Sequence, residues 1–262
     1  MLIDVHAHID RFNEDELKKV IERAEKAGVV SIITQGVNHE NNLKVLELAE
    51  KFKIIKPALG LYPLDATNVK VIENYAVYDP DRNTKFDVNA TLEFIKKNKK
   101  KIFSIGEVGI DFKFSNDKET QIKNFKKIIE LSEKIKKPLI VHSRNAEKEC
   151  IELLETSSNK KIVLHMFSGN KKLINKACQN GFYFSVPCII NKSQHFQMLT
   201  EIVNINQLLT ETDCPWLSPF PDKKNEPAFI KYTIEKIAEI KKFDRIETEN
   251  NIFMNYQKLF LK

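Results

Sequence analysis

The chain has 262 residues, of which 42% are hydrophobic and 30% are charged, and this balance is typical of a globular protein and excludes a disordered one. Its formal net charge of +6 is mild, and most lysines lie at helical spacing among glutamates, which indicates solvated helix faces more than a surface that binds polyanions. No apolar run approaches the ~20 residues of a membrane span, so a membrane protein is excluded as well.

The cysteines and the first residues indicate where the protein works. Of the four cysteines, no two form a Cys-x-x-Cys pair, so neither a zinc knuckle nor a redox motif is indicated. The first residues lack the basic segment and the apolar stretch of a signal peptide. We therefore expect free thiols, a reducing cytoplasm and no contact with a membrane.

In chain order, short apolar segments alternate with segments whose apolar residues recur at helical spacing. The apolar segments predict strands at 2–5, 29–34, 54–61, 102–108, 139–142, 162–167, 182–186 and 208–213. The periodic segments predict helices at 13–27, 39–52, 89–100, 118–136, 146–155, 171–179, 193–204, 227–241 and 246–261. Residues 64–88 show weak periodicity, which predicts an excursion with little regular structure.

This alternation predicts the fold class. Apolar strands that alternate with amphipathic helices are typical of a parallel sheet covered by helices. Eight such units in one chain of this length predict an α/β protein, a (β/α)8 TIM barrel that forms a single domain over residues 1–262. The alternative is a doubly wound open sheet, which normally needs fewer strands and a glycine-rich first turn. That turn is absent here, because the first strand ends in a His-x-His motif.

Histidines and carboxylates stand at the ends of several predicted strands. The first strand ends in His6 and His8, and residues i and i+2 of a strand point to the same side. An isolated His-x-His motif is more often a pair of histidines in a loop. Whether this motif indicates a metal site therefore depends on the residues at the other strand ends. Strands four, five, six and eight end in Glu107, His142, His165 and Asp213. Because the carboxyl ends of barrel strands form one mouth, we expect these six side chains to bind metal.

Six ligands predict two metal ions rather than one. A tetrahedral zinc with an open position usually takes three protein ligands. Two divalent ions about 3.5–4 Å apart, bridged by a carboxylate, use all six. Glu107 comes from the fourth strand, between the two groups of histidines, and is the best bridge. Mixed histidine and carboxylate ligation suits zinc, manganese, iron or magnesium to different degrees, so the sequence leaves the metal open.

The remaining ligands divide between the two ions. We expect His6 and His8 to hold one ion together with Asp213, and His142 and His165 to hold the other. Water between such ions has its pKa lowered towards neutrality and becomes a hydroxide nucleophile. Asp213 is placed to accept a proton from it, so we expect this residue to act as a general base.

These residues lie in sequence blocks that resemble the signature blocks of the TatD-like metal-dependent deoxyribonucleases. The blocks occur in order along nearly the whole chain, as HAH at 6–8, GEVGID at 106–111, VHSR at 141–144, HMFSG at 165–169, ETDCP at 211–215 and NEP at 225–227. Many relatives in the metal-dependent hydrolase barrels use a carboxylated lysine as the bridge, and the resemblance implies that Glu107 fills that role here. It also implies two divalent ions and hydrolysis of phosphodiester bonds in DNA.

The chain departs from the family pattern at two places. The family usually has Gly-x-His-Pro after the third strand, whereas this chain has a tyrosine, Tyr62, in place of the histidine. Cys214 stands where a serine is common after the metal-binding aspartate. Cys214 is not expected to be a nucleophile, because no spare histidine is free to activate it.

Together with this resemblance, the site residues predict a divalent-metal-dependent deoxyribonuclease that acts by attack of a metal-bound hydroxide. The resemblance further implies a 3′–5′ exonuclease that acts on single strands or 3′ ends. An alternative is ester or amide hydrolysis on the same two-metal site, as in an aminoacyl-tRNA deacylase or a lactonase, because fold and metals do not separate these reactions. A third interpretation is a non-catalytic binding protein on a retained scaffold, although the intact ligand set counts against it.

Four residues are candidates for substrate contact. Arg144 is expected at the mouth, where a bidentate phosphate contact and an ion pair with a neighbouring carboxylate have equal weight. Tyr62 is a candidate for stacking on a base. Lys192 and Lys224 lie in late loops on the same face and are candidates for binding flanking phosphates, although exposed lysines are usually only solvated. Asp111 follows Glu107 closely and is a candidate either for orienting a ligand or for capping a helix.

Overall fold

The structure is a computed structural model that describes residues 1–67 and 87–261, so most of the predicted excursion at 64–88 lies outside the described residues. The described residues form eight strands, β1 (Leu2–Ala7), β2 (Val29–Gln35), β3 (Ile55–Leu59), β4 (Ser104–Asp111), β5 (Leu139–Arg144), β6 (Ile162–His165), β7 (Tyr183–Pro187) and β8 (Leu208–Glu211). Their α-helices are α1 (Glu14–Lys26), α2 (His39–Lys51), α3 (Val88–Lys97), α4 (Lys118–Ile135), α5 (Glu147–Glu155), α6 (Lys171–Gln179), α7 (Gln194–Ile202), α8 (Ile230–Lys241) and α9 (Arg245–Phe260).

The strands form one parallel sheet in the order β1 to β8, and its two ends meet. The backbone N–H of Asp213 donates to the carbonyl of His6 at 2.9 Å, and the N–H of His8 donates to the carbonyl of Cys214 at 2.9 Å. These bonds join the end of β1 to the segment after β8. The predicted (β/α)8 barrel is therefore confirmed, and the open-sheet alternative is wrong.

The helices cover the barrel with one apolar face each. In α1, the buried residues recur at helical spacing, as at Leu17, Val20, Ile21 and Ala24. The side chain of Asn13 caps this helix by accepting the backbone N–H of Glu16 at 2.9 Å. Within residues 1–67 and 87–261, no helix has both the length and the apolar composition that a bilayer crossing requires.

Each of the eight strands differs from the prediction by one to three residues at one end or both, and the differences in β1 and β8 concern the barrel mouth. Strand β1 continues to Ala7, so His6 lies inside the strand and His8 follows it directly. Strand β8 ends at Glu211, two residues before the end predicted for it. Asp213 has a φ of 57°, a left-handed conformation that no strand residue adopts. The carboxylate at this position therefore belongs to a turn beyond the strand.

Candidate metal centre

The structure brings all six predicted ligands together at the carboxyl ends of the strands. They are carried by five different segments, with His6 in β1, His8 just after it, Glu107 in β4, His142 in β5, His165 at the end of β6 and Asp213 just beyond β8. Five of the six are buried, and Asp213 is partly exposed. Clustered buried polar groups of this kind are costly unless they are paired or bind a cation.

Four ligand atoms form a compact group around His6 and His8. The two Nε2 atoms lie 3.3 Å apart. Glu107 Oε2 lies 3.5 and 3.4 Å from the Nε2 atoms of His6 and His8, and Asp213 Oδ1 lies 3.6 and 3.5 Å from them. Ligands about 2.0–2.1 Å from a tetrahedral zinc are separated from each other by about 3.3–3.4 Å. The spacing of this group, the first half of the cluster, therefore fits one metal ion.

The other oxygen of Glu107 faces the second half of the cluster, which contains His142 and His165. Glu107 Oε1 lies 2.9 Å from His142 Nδ1 and 3.9 Å from His165 Nε2. These three residues can bring one ligand atom each within 4.8 Å of one another, and so can His6, His8 and Asp213. Glu107 therefore has one carboxylate oxygen on each side, which is the arrangement of a bridging ligand.

The charges of the first half favour a cation at its centre. Burial alone would lower the pKa of His8, yet the carboxylates of Asp213 and Glu107 outweigh it and raise that pKa to about 10. Burial alone would likewise raise the pKa of Glu107, but hydrogen bonds from three histidines hold it well below its usual range. The carboxylates thus stabilise positive charge here, whether it is a proton on His8 or a metal ion.

Behind the second half, each histidine is held by a buried carboxylate. Asp111 Oδ2 lies 3.2 Å from His142 Nε2, on the side of the ring away from Glu107. Glu211 Oε2 lies 2.8 Å from His165 Nδ1. Such partners fix the ring orientation of metal-binding histidines and raise their basicity. Asp111 was a candidate for this role from the sequence, and the structure places it against His142.

Within residues 1–67 and 87–261, no comparable carboxylate holds the histidines of the first half. The Nδ1 atoms of His6 and His8 are buried and make no hydrogen bond within the described part of the chain. Instead, the ring of His6 is stacked on that of His165 with 3.5 Å between the centroids. The edge of the Trp216 ring meets His8, with the centroids 5.1 Å apart. Beyond their contacts with Glu107 and Asp213, these two rings are therefore held by packing in the described part of the chain.

Two glycines allow β4 to carry Glu107 into the cluster. A Cβ atom at Gly60, just after β3, would lie 2.4 Å from the carbonyl oxygen of Glu107. A Cβ atom at Gly109 would lie 1.9 Å from the carbonyl oxygen of His142, and its φ of 141° is also unfavourable for other residues. A side chain at either position would displace the backbone that positions a ligand.

The sequence analysis missed two buried carboxylates, Glu211 and Asp4. Glu211 contacts His165, and burial raises the pKa of its carboxyl to about 8. Asp4 accepts the backbone N–H of His6 at 3.2 Å and that of Thr212 at 3.0 Å, which joins β1 to the end of β8 beneath the histidines. The available signal was an acidic residue within an otherwise apolar strand, as in LIDV and LLTE.

The four candidate substrate residues lie in different surroundings. Arg144 is part-exposed at the end of β5, with its Nη1 atom 3.7 Å from Asp111 Oδ2. Tyr62 is only 6% exposed, and its hydroxyl lies 3.2 Å from the same oxygen of Asp111. Lys192 is exposed after β7. Lys224 is exposed and pairs with Glu16 Oε2 at 3.0 Å.

The cysteines, which lie outside the cluster, have the properties expected from the sequence. The Cys214 thiol is fully buried, and burial raises its pKa well above the usual value, so it is not an activated nucleophile. All four cysteines are free.

Comparisons with known proteins agree with this geometry. A family model described as TatD related DNase matches residues 3–261. An uncharacterized metal-dependent hydrolase of Methanocaldococcus jannaschii is 35% identical over 261 residues, which cover 98% of this chain and 96% of that protein. Human deoxyribonuclease TATDN3 is 30% identical over 268 residues, which cover 100% of this chain and 95% of that protein. The structure of YJJV, a TatD homolog from Escherichia coli K12, matches the fold with a TM-score of 0.84 at 24% identity and covers 100% of this chain and 98% of that one.

Proposed function

The chain belongs to the TatD related DNase family, and from this premise we propose that it hydrolyses phosphodiester bonds of DNA at the cluster of histidines and carboxylates. It is a metal-dependent hydrolase that acts on ester bonds, as its relatives are named. We further propose 3′–5′ exonuclease action on single strands or 3′ ends, and a cytoplasmic location. The family match over residues 3–261 supports a single domain.

The position of Glu107 is the observation that carries the proposal. Its two oxygens face two separate groups of histidine nitrogens, at 3.4 Å from His8 on one side and 2.9 Å from His142 on the other. A two-metal site with a bridging carboxylate is a common arrangement for the hydrolysis of phosphate esters. A single catalytic zinc would leave half of these residues without a role.

We propose that the two halves of the cluster hold two divalent ions, zinc, manganese or magnesium. His6, His8 and Asp213 would hold the first ion, and His142 and His165 the second, with Glu107 between them. The ions would supply a nucleophilic water at neutral pH and stabilise the negative charge that develops on the phosphate oxygens. The mixed nitrogen and oxygen donor set, spaced as a metal ion requires, supports this assignment.

Asp213 is the proposed proton acceptor. Its side chain is 15% exposed, compared with 6% for Glu107, so its carboxylate reaches the open mouth of the barrel. Burial would raise its pKa, but the hydrogen bond from His8 and the charges of His165, His6 and His8 together outweigh burial and lower that pKa below the usual value. The carboxylate is therefore ionised at neutral pH and can accept a proton from an attacking water.

Arg144 is the proposed contact for the phosphate that is attacked. Its side chain is 37% exposed beside the second half of the cluster, and a guanidinium suits bidentate contact with phosphate. Tyr62, Lys192 and Lys224 stay predicted substrate contacts.

End-labelled DNA tests the proposal directly. Single and double strands labelled at either the 3′ or the 5′ end are incubated with the protein and zinc, manganese or magnesium, and chelated protein is the control. We expect metal-dependent release of mononucleotides from the 3′ end of single strands. An aminoacyl ester and lactone panel is measured in parallel. Turnover of that panel, with no cleavage of any DNA, would contradict the nuclease proposal and favour the ester hydrolase.

A further inference from the structure

A second surface of the molecule, on the flank of the barrel, combines a cavity with an excess of positive charge. The cavity has a volume of about 730 Å³ and lies between α1 and the segment 223–231. This volume falls within the range of about 300–1,000 Å³ that small-molecule sites occupy. Five cationic side chains line it, namely Arg23, Lys26, Lys223, Lys224 and Lys231. We call this surface the α1 cavity.

The carboxylates of the α1 cavity are already neutralised by some of its cations. Two nitrogens of Arg23 donate hydrogen bonds to the Glu226 carboxylate, Nε at 2.9 Å and Nη2 at 2.5 Å. Glu16 Oε2 pairs with Lys224 at 3.0 Å. In the described ranges, no carboxylate pairs with the other three lysines, which are Lys26, Lys223 and Lys231. The cavity therefore has a net positive charge available to an anionic ligand.

Aromatic rings lie beside these lysines. The rings of Phe220, Phe229 and Tyr232 contact one another, with centroids 5.1 Å apart for Phe220 and Phe229 and 5.3 Å apart for Phe220 and Tyr232. Lys223 Nζ lies 5.8 Å from the centre of the Phe220 ring, and Lys231 Nζ lies 4.9 Å from that of Tyr232. All three rings are half-buried, and Phe229 also lines the cavity. Aromatic rings interleaved with cations are typical of surfaces that bind single-stranded nucleic acid.

Short segments of the chain link both walls of the α1 cavity to residues of the metal centre. Phe12 lines the cavity and follows His8 by four residues, so their Cα atoms lie within about 14 Å of each other. The opposite wall follows Asp213 in the same loop. The side chain of Asn225 holds that loop in place by donating to the carbonyl of Thr212 at 2.6 Å and to that of Leu217 at 3.2 Å. The Phe12 end of the cavity therefore lies close to the cluster.

We infer that the α1 cavity and the adjoining aromatic rings bind a single DNA strand beyond the bond that is cleaved, with the lysines on its phosphates and the rings on its bases. This inference rests on the proposed function, because it assigns the path of that same substrate. It places a strand-binding surface on α1 and α8, outside the six predicted metal ligands.

Charge reversal at two unpaired lysines tests the inference. The double variant Lys26→Glu/Lys231→Glu is compared with Lys53→Glu/Lys56→Glu, which makes the same charge change in a separate cavity at the amino-terminal end of β3. Fluorescein-labelled oligothymidylates of about 16 and about 4 nucleotides are titrated by fluorescence anisotropy, with chelator present and at several salt concentrations. Thermal melting verifies that each variant is folded.

For the Lys26→Glu/Lys231→Glu variant, we expect affinity for the long strand to fall about tenfold and the salt dependence to decrease by about 0.7 per lost phosphate contact. The short strand, which fits at the cluster alone, is expected to change less than about twofold. An equal loss in the Lys53→Glu/Lys56→Glu control, or no loss in either variant, would overturn the inference. Because binding is measured without metal, absence of DNA cleavage in the wild type would refute the proposed function without affecting this result.

Discussion

In the second half of the cluster each histidine has a carboxylate behind it, whereas among the described residues neither histidine of the first half has one. Asp111 contacts His142 at 3.2 Å, and Glu211 contacts His165 at 2.8 Å. The corresponding nitrogens of His6 and His8 have no hydrogen-bond partner in the parts of the chain that are described. The two halves therefore have similar ligands, but buried carboxylates hold the histidines of the second half and packing holds those of the first.

This difference indicates how each half would bind its ion. Rings held by carboxylates are preorganised, so an ion entering the second half requires little rearrangement. The rings of the first half are held by packing, and the charges of Glu107 and Asp213 dominate that half instead. We expect the second half to depend on residues outside the ligand set and the first half to depend mainly on its own carboxylates.

The largest effect on metal content and turnover is expected from Glu107→Ala, because Glu107 contributes one carboxylate oxygen to each half of the cluster. We expect both ions to be lost together and turnover to disappear, since each half would lose the carboxylate ligand that the two halves share. Elemental analysis of the purified variant gives the metal content. The isosteric variant Glu107→Gln controls for folding. Retention of two ions by Glu107→Ala would remove this residue as the bridge.

Asp213→Asn tests the carboxylate on which the first half depends. We expect turnover to fall by about 10²–10⁴-fold, because the amide cannot accept a proton, while binding of DNA changes little. Single-turnover hydrolysis and anisotropy titration measure the two quantities separately. Asp10→Asn is a matched control, since Asp10 is a buried carboxylate close to His8 that bonds Asn41 instead of a ligand. Near-normal turnover in Asp213→Asn would exclude it as the proton acceptor.

Glu211→Gln sharpens the comparison by weakening the support of the second half alone. We expect affinity for one of two ions to fall by about 10–100-fold, because the ring of His165 loses the carboxyl group that fixes its orientation. Affinity for the other ion is expected to remain close to that of the wild type. Competition with a chromophoric chelator resolves the two affinities. Equal weakening of both ions would show that the halves do not have separate supports.

The smallest effect on ion binding is expected from Tyr62→Phe, because Tyr62 contacts Asp111, which in turn contacts the ligand His142. The Tyr62 hydroxyl donates to Asp111 Oδ2 at 3.2 Å, and losing one such bond costs about 1 kcal/mol, which corresponds to about fivefold weaker binding of one ion. The same chelator competition measures it. A loss larger than that of Glu211→Gln would contradict the ranking and indicate that Tyr62 touches the ion or the substrate.

The sequence by itself determined the barrel and the residues that reach its mouth. Periodicity reports which faces are buried, so alternating apolar and amphipathic segments predict β1 to β8 and their helices. Parallel strands end on one side of a barrel, which is why a His-x-His at position 6 and a carboxylate at position 213 are predicted to meet although 207 residues separate them. The chemical types of the ligand side chains also follow directly from the residue identities in the sequence.

Only the tertiary structure decided how those side chains divide and what stands behind them. That Glu107 turns one oxygen to each half, that Glu211 supports His165, and that Tyr62 points inward to Asp111 depend on register and rotamers across different strands. These contacts join residues far apart in the chain, and local periodicity carries no information about them. The α1 cavity has the same origin, because helix packing places Lys26 and Lys231 on one surface.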